Sequence, residues 1–235
     1  LNGADWVTID GANTVGGTTR NTTFANTNVS TSSAVIWGQS IGTNDPATNN
    51  TLKNLNVVGN ASTTTLVGIG FGSSTIGTAS VGSRNNNNRV QNNAITAAQF
   101  GVFSQGASSL IKNTGTVITG NTLGGAGALA LGRVGIYVAF DDGAQVTNNT
   151  INGVISVASV DALGIALGAF GISNTAVTPP ITALREPVGP ALRAHEDERE
   201  PVRLAHEAGE RVELRVERDG HEAGVDLAGG VAVRE

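Results

Sequence analysis

The aliphatic and polar positions of the chain repeat in short segments that share one pattern. Segments 90–95 (VQNNAI), 118–123 (ITGNTL) and 146–151 (VTNNTI) have an aliphatic residue at each end and asparagine or glycine in the middle. Successive copies are 28 residues apart, and a looser copy, 52–57 (LKNLNV), lies 38 residues before the first. Aliphatic residues on both sides of a short polar turn predict two short strands joined by a bend.

A second series of apolar segments alternates with the first. These segments begin with glycine and read GIGF at 68–71, GVF at 101–103, GIYV at 135–138 and GIAL at 164–167. One unit of about 28 residues therefore holds three short strands with loops of variable length between them. Strands that recur in this way are typical of a solenoid, in which each turn stacks on the previous one. The sequence predicts an all-β solenoid of about five to seven turns.

Stacking in register would place equivalent residues of successive turns in columns about 4.8 Å apart. Asparagine and glycine adopt the left-handed conformation of a sharp bend most readily, which predicts a turn column of Asn92, Gly120 and Asn148. The amides of the next column can donate to and accept from one another, which predicts a ladder of Asn93, Asn121 and Asn149. The flanking aliphatic residues would form the core.

The charge composition of the chain changes near a predicted turn at Thr178, Pro179 and Pro180. The residues before this turn contain many asparagines and no glutamate, whereas the segment 185–235 is rich in arginine and glutamate and contains no asparagine, serine or lysine. We therefore predict two parts, with solenoid repeats at 1–176 and a charged tail at 177–235.

The net charge of −5 does not favour binding to nucleic acid, so no nucleic-acid partner is predicted. No apolar run is long enough to span a bilayer.

Two interpretations of the tail remain open. It could be a small β or α/β cap, because 211–218 (RVELRVER) alternates apolar and charged residues like a half-buried strand, and Asp219 and Gly220 would follow as a tight turn. It could also be an out-of-frame or foreign segment, because its restricted composition is that of a GC-rich gene translated in a wrong frame. Its histidines, His195, His206 and His221, lack the spacing of a zinc-protease motif.

The VxNNxI segments and the glycine-initiated strands resemble the right-handed parallel β-helix superfamily, the pectate-lyase-like fold. Within it they are similar to the asparagine-rich repeat proteins that bacteria secrete or carry on their surfaces. The resemblance covers residues 1–176. It implies a right-handed coil, but it implies no single activity, because the same coil carries lyases, hydrolases, epimerases, adhesins and inert stalks.

Catalytic candidates in the first part are few. Asp141 and Asp142 form its only acidic pair, and glycoside hydrolysis needs two carboxylates at a controlled separation. Arg133 is the candidate for a basic partner, and the same two aspartates are the candidates for a peripheral calcium site. The companion motifs of the pectin-active relatives, namely Asn-Thr-Asp, Gly-His-Gly and Arg-Ile-Lys, do not occur. No cofactor is predicted, and there is no cysteine for a thiolate site or a disulfide.

The expected function is therefore a non-catalytic, secreted or cell-surface module, either a stalk or an adhesin-like element. Its expected partner is a polysaccharide or a cell-surface glycan, bound weakly by polar rows, with Trp37, Phe103 and Tyr137 available for stacking if they point outward. Self-association through the coil ends is also expected.

One alternative function is that of a pectin-active lyase or hydrolase whose site is incomplete or missing in this chain. Another is an incomplete or frame-shifted gene product, which translation of the neighbouring frames would reveal.

Overall fold

The structure is a computed structural model that describes residues 1–42, 44–157 and 162–168, together with the backbone of three strands further along the chain. The chain divides into two compact units, Leu1–Pro187 and Val188–Glu235. The described part of the first unit consists of strands and one short 3-10 helix, Gly127–Leu129. The predicted boundary between 176 and 177 lies outside the described residues and stays a prediction. Among the described residues, no helix has the length and apolar character to cross a membrane.

Seventeen strands in the first unit are short and recur in a fixed order. Each coil contributes one strand to each of three sheets, and each of the last two coils begins with an additional two-residue strand. The strands are β1 Thr8–Asp10, β2 Thr22–Ala25, β3 Ala34–Gln39, β4 Thr51–Lys53, β5 Leu55–Val58, β6 Val67–Gly72, β7 Arg89–Gln91, β8 Ala94–Thr96, β9 Phe100–Gln105, β10 Asn113–Thr114, β11 Val117–Thr119, β12 Thr122–Leu123, β13 Val134–Ala139, β14 Asp141–Asp142, β15 Gln145–Thr147, β16 Thr150–Ile151 and β17 Leu163–Leu167.

The strands form three sheets of five, and every pairing between them is parallel. Sheet I has the order β1-β4-β7-β11-β15, sheet II the order β2-β5-β8-β12-β16 and sheet III the order β3-β6-β9-β13-β17, while β10 pairs with β14. We number the coils one to five, so that coil one holds β1–β3, coil two β4–β6, coil three β7–β9, coil four β10–β13 and coil five β14–β17. These stacked parallel sheets confirm the predicted all-β solenoid.

The register of sheets I and II follows from the repeated aliphatic positions. In sheet I, Ile118 pairs with Val90 of the coil before it and Val146 of the coil after it. In sheet II, Leu123 pairs with Ile95 in the same way. The members of coils three and four are fully buried in the coil interior. Burial of one such side chain stabilises the fold by about 1.5–3 kcal/mol, so the aliphatic columns hold successive coils together.

The three central strands of sheet III, β6, β9 and β13, are buried on both faces. Val102 and Ile136 belong to the interior cluster, whereas Phe103 and Tyr137 belong to a second apolar cluster on the opposite face of the same strands. In coils two to four, the glycine that begins the segment is required sterically. A Cβ atom on Gly101 would lie 2.6 Å from the carbonyl oxygen of Gly135 in the next coil. Only glycine therefore allows the coils to approach this closely.

The second unit contains a small antiparallel sheet. Strand β18, Glu213–Arg218, pairs with β19, His221–Asp226, which in turn pairs with β20, Ala232–Val233. The strand expected at 211–218 is thus present from Glu213 onward, and the expected turn at Asp219 and Gly220 lies outside the described residues, as do His195 and His206. Whether the tail is a native cap or an out-of-frame segment stays open.

Candidate functional site

Stacked amides connect coils two to five at the bend between sheets I and II. We call Asn93, Asn121 and Asn149 the first amide column. The Nδ2 atom of Asn93 donates to Oδ1 of Asn121 at 3.1 Å, and Nδ2 of Asn121 donates to Oδ1 of Asn149 at 2.9 Å. The same oxygens accept the backbone N–H groups of the preceding members, at 2.9 Å for Asn93 and 3.0 Å for Asn121. These asparagines therefore form the expected ladder.

The residue before each member of the first amide column makes the bend. Its φ angle is 51° at Asn92, 66° at Gly120 and 54° at Asn148. Asn54, one coil earlier, has a φ angle of 58°. All four lie in the left-handed region that asparagine and glycine tolerate. This column holds the residue types that its backbone conformation favours.

Sequence reasoning missed a second column near the corner between sheets III and I. We call Asn85, Asn113 and Asp141 the second amide column. Oδ1 of Asn85 accepts the N–H group of Ala47, and Oδ1 of Asn113 accepts the N–H group of Asn85, both at 2.9 Å. Asn113 and Asp141 are paired in register between β10 and β14. The 28-residue spacing of its three members was the signal that could have found it.

Asp141 occupies the last position of the second amide column and has no exposed surface. Neither carboxylate oxygen has a hydrogen-bond partner among the described residues, and the hydroxyl of Thr116 beside it has none either. Burial raises the pKa of Asp141 to about 6, with a smaller contribution from the negative charge of Asp142. Thr116 lies close enough to lower that pKa, although its hydroxyl and amide do not reach hydrogen-bonding geometry.

Asp142 has a different environment from its neighbour. Its side chain is 51% exposed, and one carboxylate oxygen lies 4.0 Å from Nζ of Lys112. The two aspartates therefore do not face one shared space. In the part of the chain that the structure describes, no group of three acidic, histidine or cysteine side chains is placed to hold a metal ion.

Arg133 lines an open cleft beside sheet III, with a volume of about 430 Å³. Its guanidinium group lies 5.2 Å from the ring centroid of Phe100, close enough for a cation–π contact. Burial lowers the pKa of Arg133 from its ordinary value, but a guanidinium group remains charged in proteins. The lining does not include Asp141 or Asp142 and consists of Thr31, Ser32, Thr63, Leu66, Gly77, Thr78, Gln99, Arg133 and Val157.

The aromatic side chains of sheet III stack along its outer face. The rings of Phe103 and Tyr137 are stacked with centroids 5.0 Å apart, and the Trp37 ring lies 6.0 Å from that of Phe103. Gly70 makes this possible, because a Cβ atom there would lie 2.3 Å from the Trp37 ring. Phe103 and Tyr137 are buried. These two rings point away from the coil interior but are covered, so they offer no surface to a ligand.

A loop of coil one crosses the outside of the bend between sheets I and II. We call residues 12–21 the strap. The carbonyl oxygen of Thr18 accepts from Nδ2 of Asn92 at 2.8 Å. Nε of Arg20, at the end of the strap, donates to the carbonyl oxygen of Asn92 at 2.9 Å, and Nη1 donates to Oγ1 of Thr122 at 3.3 Å. The strap joins coil one to coils three and four.

The three comparisons with known proteins give no family for this chain: no protein-family model matches it, and searches of curated proteins and of solved structures return no significant match.

Proposed function

We propose that the first unit is a non-catalytic module of a secreted or cell-surface protein, a stalk or an adhesin-like element that binds saccharide weakly in the cleft beside Arg133. We also propose that its coil is right-handed and belongs to the pectate-lyase-like superfamily. The repeat pattern supports this assignment, since crossover connections between parallel strands are right-handed in nearly all known cases. The structural role rests on continuous columns of buried aliphatic and amide side chains through the coils.

The lining of the cleft is the observation that carries the saccharide proposal. The side chains of Thr31, Ser32, Thr63 and Thr78 provide hydroxyl groups, Gln99 provides an amide and Arg133 provides a cation. Hydroxyl and amide groups can both donate to and accept from the hydroxyls of a sugar. No described acidic side chain forms a salt bridge with Arg133, which leaves its charge available to an anionic sugar.

Weak binding follows from the same geometry. Tight small-molecule sites are concave and mostly apolar, and they bury most of the ligand surface. This cleft is open, so it cannot bury most of a ligand, and the buried rings of Phe103 and Tyr137 are not available to stack on a sugar. A saccharide would therefore gain hydrogen bonds but little stacking energy. We expect dissociation constants of about a millimolar, which corresponds to about 4 kcal/mol of binding free energy.

Titration of the intact chain with neutral and uronate oligosaccharides, followed by NMR chemical shifts, tests this proposal. We expect saturable shifts at Thr63, Thr78 and Gln99. The double variant T78V/R133Q should weaken binding of the uronate by about tenfold, since two polar partners, one of them charged, are lost. Arg89→Gln, a change on the outer face of sheet I, is the matched control and should leave affinity unchanged.

Two results would overturn the proposal. The first is the absence of saturable shifts with every oligosaccharide, and the second is equal affinity in the wild type and the double variant. Release of reducing ends or unsaturated products during the titration would instead support the pectin-active enzyme. Detection of the full-length protein at the cell surface or in culture medium tests the proposed location.

A further inference from the structure

The second amide column has a consistent hydrogen-bond pattern in its first two members. Asn85 accepts a backbone N–H group through Oδ1 and donates through Nδ2 to the carbonyl oxygen of Gly72 at 2.9 Å. Asn113 accepts the N–H group of Asn85 and donates to Oγ of Ser104 at 3.2 Å. Each position therefore needs one acceptor and one donor on the same side chain. An asparagine amide provides both.

Asp141 cannot repeat this pattern as a carboxylate, because an ionised carboxyl group is only an acceptor. The N–H group of Asn113 does not donate to it, because that group donates to the carbonyl oxygen of Phe140. The hydroxyl and N–H groups of Thr116 lie near the carboxylate and lower its pKa, but burial outweighs them. Both of its oxygens are buried and have no partner among the described residues. A buried ion in this state is costly, whereas a protonated carboxyl group regains a donor.

The surroundings of Asp141 contain few charges. Asp142 on the same strand adds a second negative charge, and the ammonium group of Lys112 lies 4.0 Å from Asp142. The paired strand β10 contributes the neutral residues Asn113 and Thr114, and the adjoining loop contributes Thr116. Among the described groups that face Asp141, none is a cation paired directly with its carboxylate.

Coil five is the coil that this site can affect most. Its strands β15, β16 and β17 each pair with one neighbour, in coil four, among the described residues. Its interior position Ile165 remains 47% exposed, whereas the equivalent Ile136 in coil four is fully buried. Coil five is therefore packed less tightly than coil four, and the loss of one contact to coil four affects it more.

We propose that Asp141 controls the attachment of coil five to coil four by its protonation state. In the protonated form its side chain is neutral and can remain buried at low cost, and coil five stays attached. In the ionised form an unpaired charge is buried, and coil five opens from the stack more often. Opening of coil five thereby becomes dependent on pH.

The direction follows from the elevated pKa of the closed state. A carboxyl group whose pKa is raised to about 6 by burial stabilises the closed state fully below the ordinary value of 3.8. This stabilisation is lost as pH rises from about 4 to about 6. A difference of about two pKa units corresponds to an increase of about 100-fold in the opening constant between pH 4 and pH 7.5.

Hydrogen exchange of the intact chain, with rates corrected for intrinsic pH dependence, tests the proposal. Peptides covering residues 141–151 should lose protection by about 100-fold between pH 4 and pH 7.5, while peptides of coil three should change much less. In Asp141→Asn, protection of 141–151 at pH 7.5 should approach the wild-type value at pH 4. Asp142→Asn is the matched control, and it should retain most of the pH response.

A direct titration keeps the proposal testable if a variant fails to fold. The carboxyl carbon of Asp141 in the wild-type protein, followed by NMR, should titrate near pH 6, well above an ordinary aspartate. A midpoint near 3.8 would overturn the proposal. An unchanged pH response in Asp141→Asn, or its complete loss in Asp142→Asn, would do the same.

Discussion

The two amide columns stand at neighbouring corners of the same coil, yet they differ in completeness. The first column continues through Asn93, Asn121 and Asn149, and each buried amide both accepts and donates along it. The second begins in the same way with Asn85 and Asn113 but ends at Asp141, whose oxygens have no partner among the described residues. A column of amides is self-consistent because one side chain supplies both kinds of hydrogen-bonding group. The carboxylate of Asp141 can only accept hydrogen bonds, so it cannot continue the pattern.

The residues that precede the columns differ as well. Asparagine or glycine stands before every member of the first column, in the left-handed conformation. Before the second column, Arg84 has a φ angle of 60° and Phe140 a φ angle of 48°, although neither residue type favours that conformation. The first corner is locally consistent in turn chemistry and hydrogen bonding. At the second corner, the positive φ angles of Arg84 and Phe140 must be stabilised by contacts with the surrounding residues.

The largest expected effect comes from making the first column resemble the second. Asn121→Asp removes two donors, and it places a buried charge beside Oδ1 of Asn149. We expect the free energy of unfolding at pH 7 to fall by about 4 kcal/mol. The pKa of the new carboxyl should be raised, so the loss should be smaller at pH 4, where the group is protonated. Urea unfolding at the two pH values measures both effects, and a loss that does not depend on pH would contradict the expectation.

Deletion of one amide in each column compares their contributions. Asn121→Ala leaves the buried N–H group of Asn93 without its partner and removes a hydrogen bond to the carbonyl oxygen of Val90, which should cost about 3 kcal/mol. Asn113→Ala leaves the N–H group of Asn85 and the hydroxyl of Ser104, which can rotate, and should cost about 2 kcal/mol. Thermal unfolding of both variants gives the difference. A larger loss for Asn113→Ala would show that the interrupted column contributes more than the complete one.

The smallest expected effect comes from giving the second corner the turn residue of the first. Arg84 is exposed, so its replacement removes little packing. Arg84→Asn should increase stability by about 0.5 kcal/mol, because asparagine adopts a positive φ angle with less strain. Arg89→Asn, in strand β7, is the control and should bring no gain. A fall in the unfolding midpoint of Arg84→Asn would indicate that the arginine side chain makes a stabilising contact.

The first column and the core of sheets I and II were predictable, because aliphatic residues bracket each bend at a constant spacing. The second column was hidden, since Asn85 lies in a run of four asparagines and the repeat ends in aspartate. The cleft could not be predicted at all, because its lining comes from loops of several coils, including Ser32, Thr63 and Arg133. Loops of variable length carry no periodic signal.

The sequence shows the glycine-initiated segments but not why glycine is needed in them. Periodicity identifies Gly68, Gly101 and Gly135 as equivalent, but only the distances between coils show that each is needed for close approach to the next. Residue type alone suggests Asp141 and Arg133 as parts of a possible site. Residue type does not indicate burial, and the structure places one in the corner of the coil and the other in a cleft.

The strap has a consequence for how the molecule folds. In a simple repeat protein each unit contacts only its neighbours, so that terminal units can fray one at a time. Arg20 reaches Asn92 and Thr122, residues that are 72 and 102 positions further along the chain. Coil one therefore cannot separate without also releasing bonds to coils three and four. The first four coils should unfold as one cooperative block, and the long loop that Arg20 closes should slow its formation.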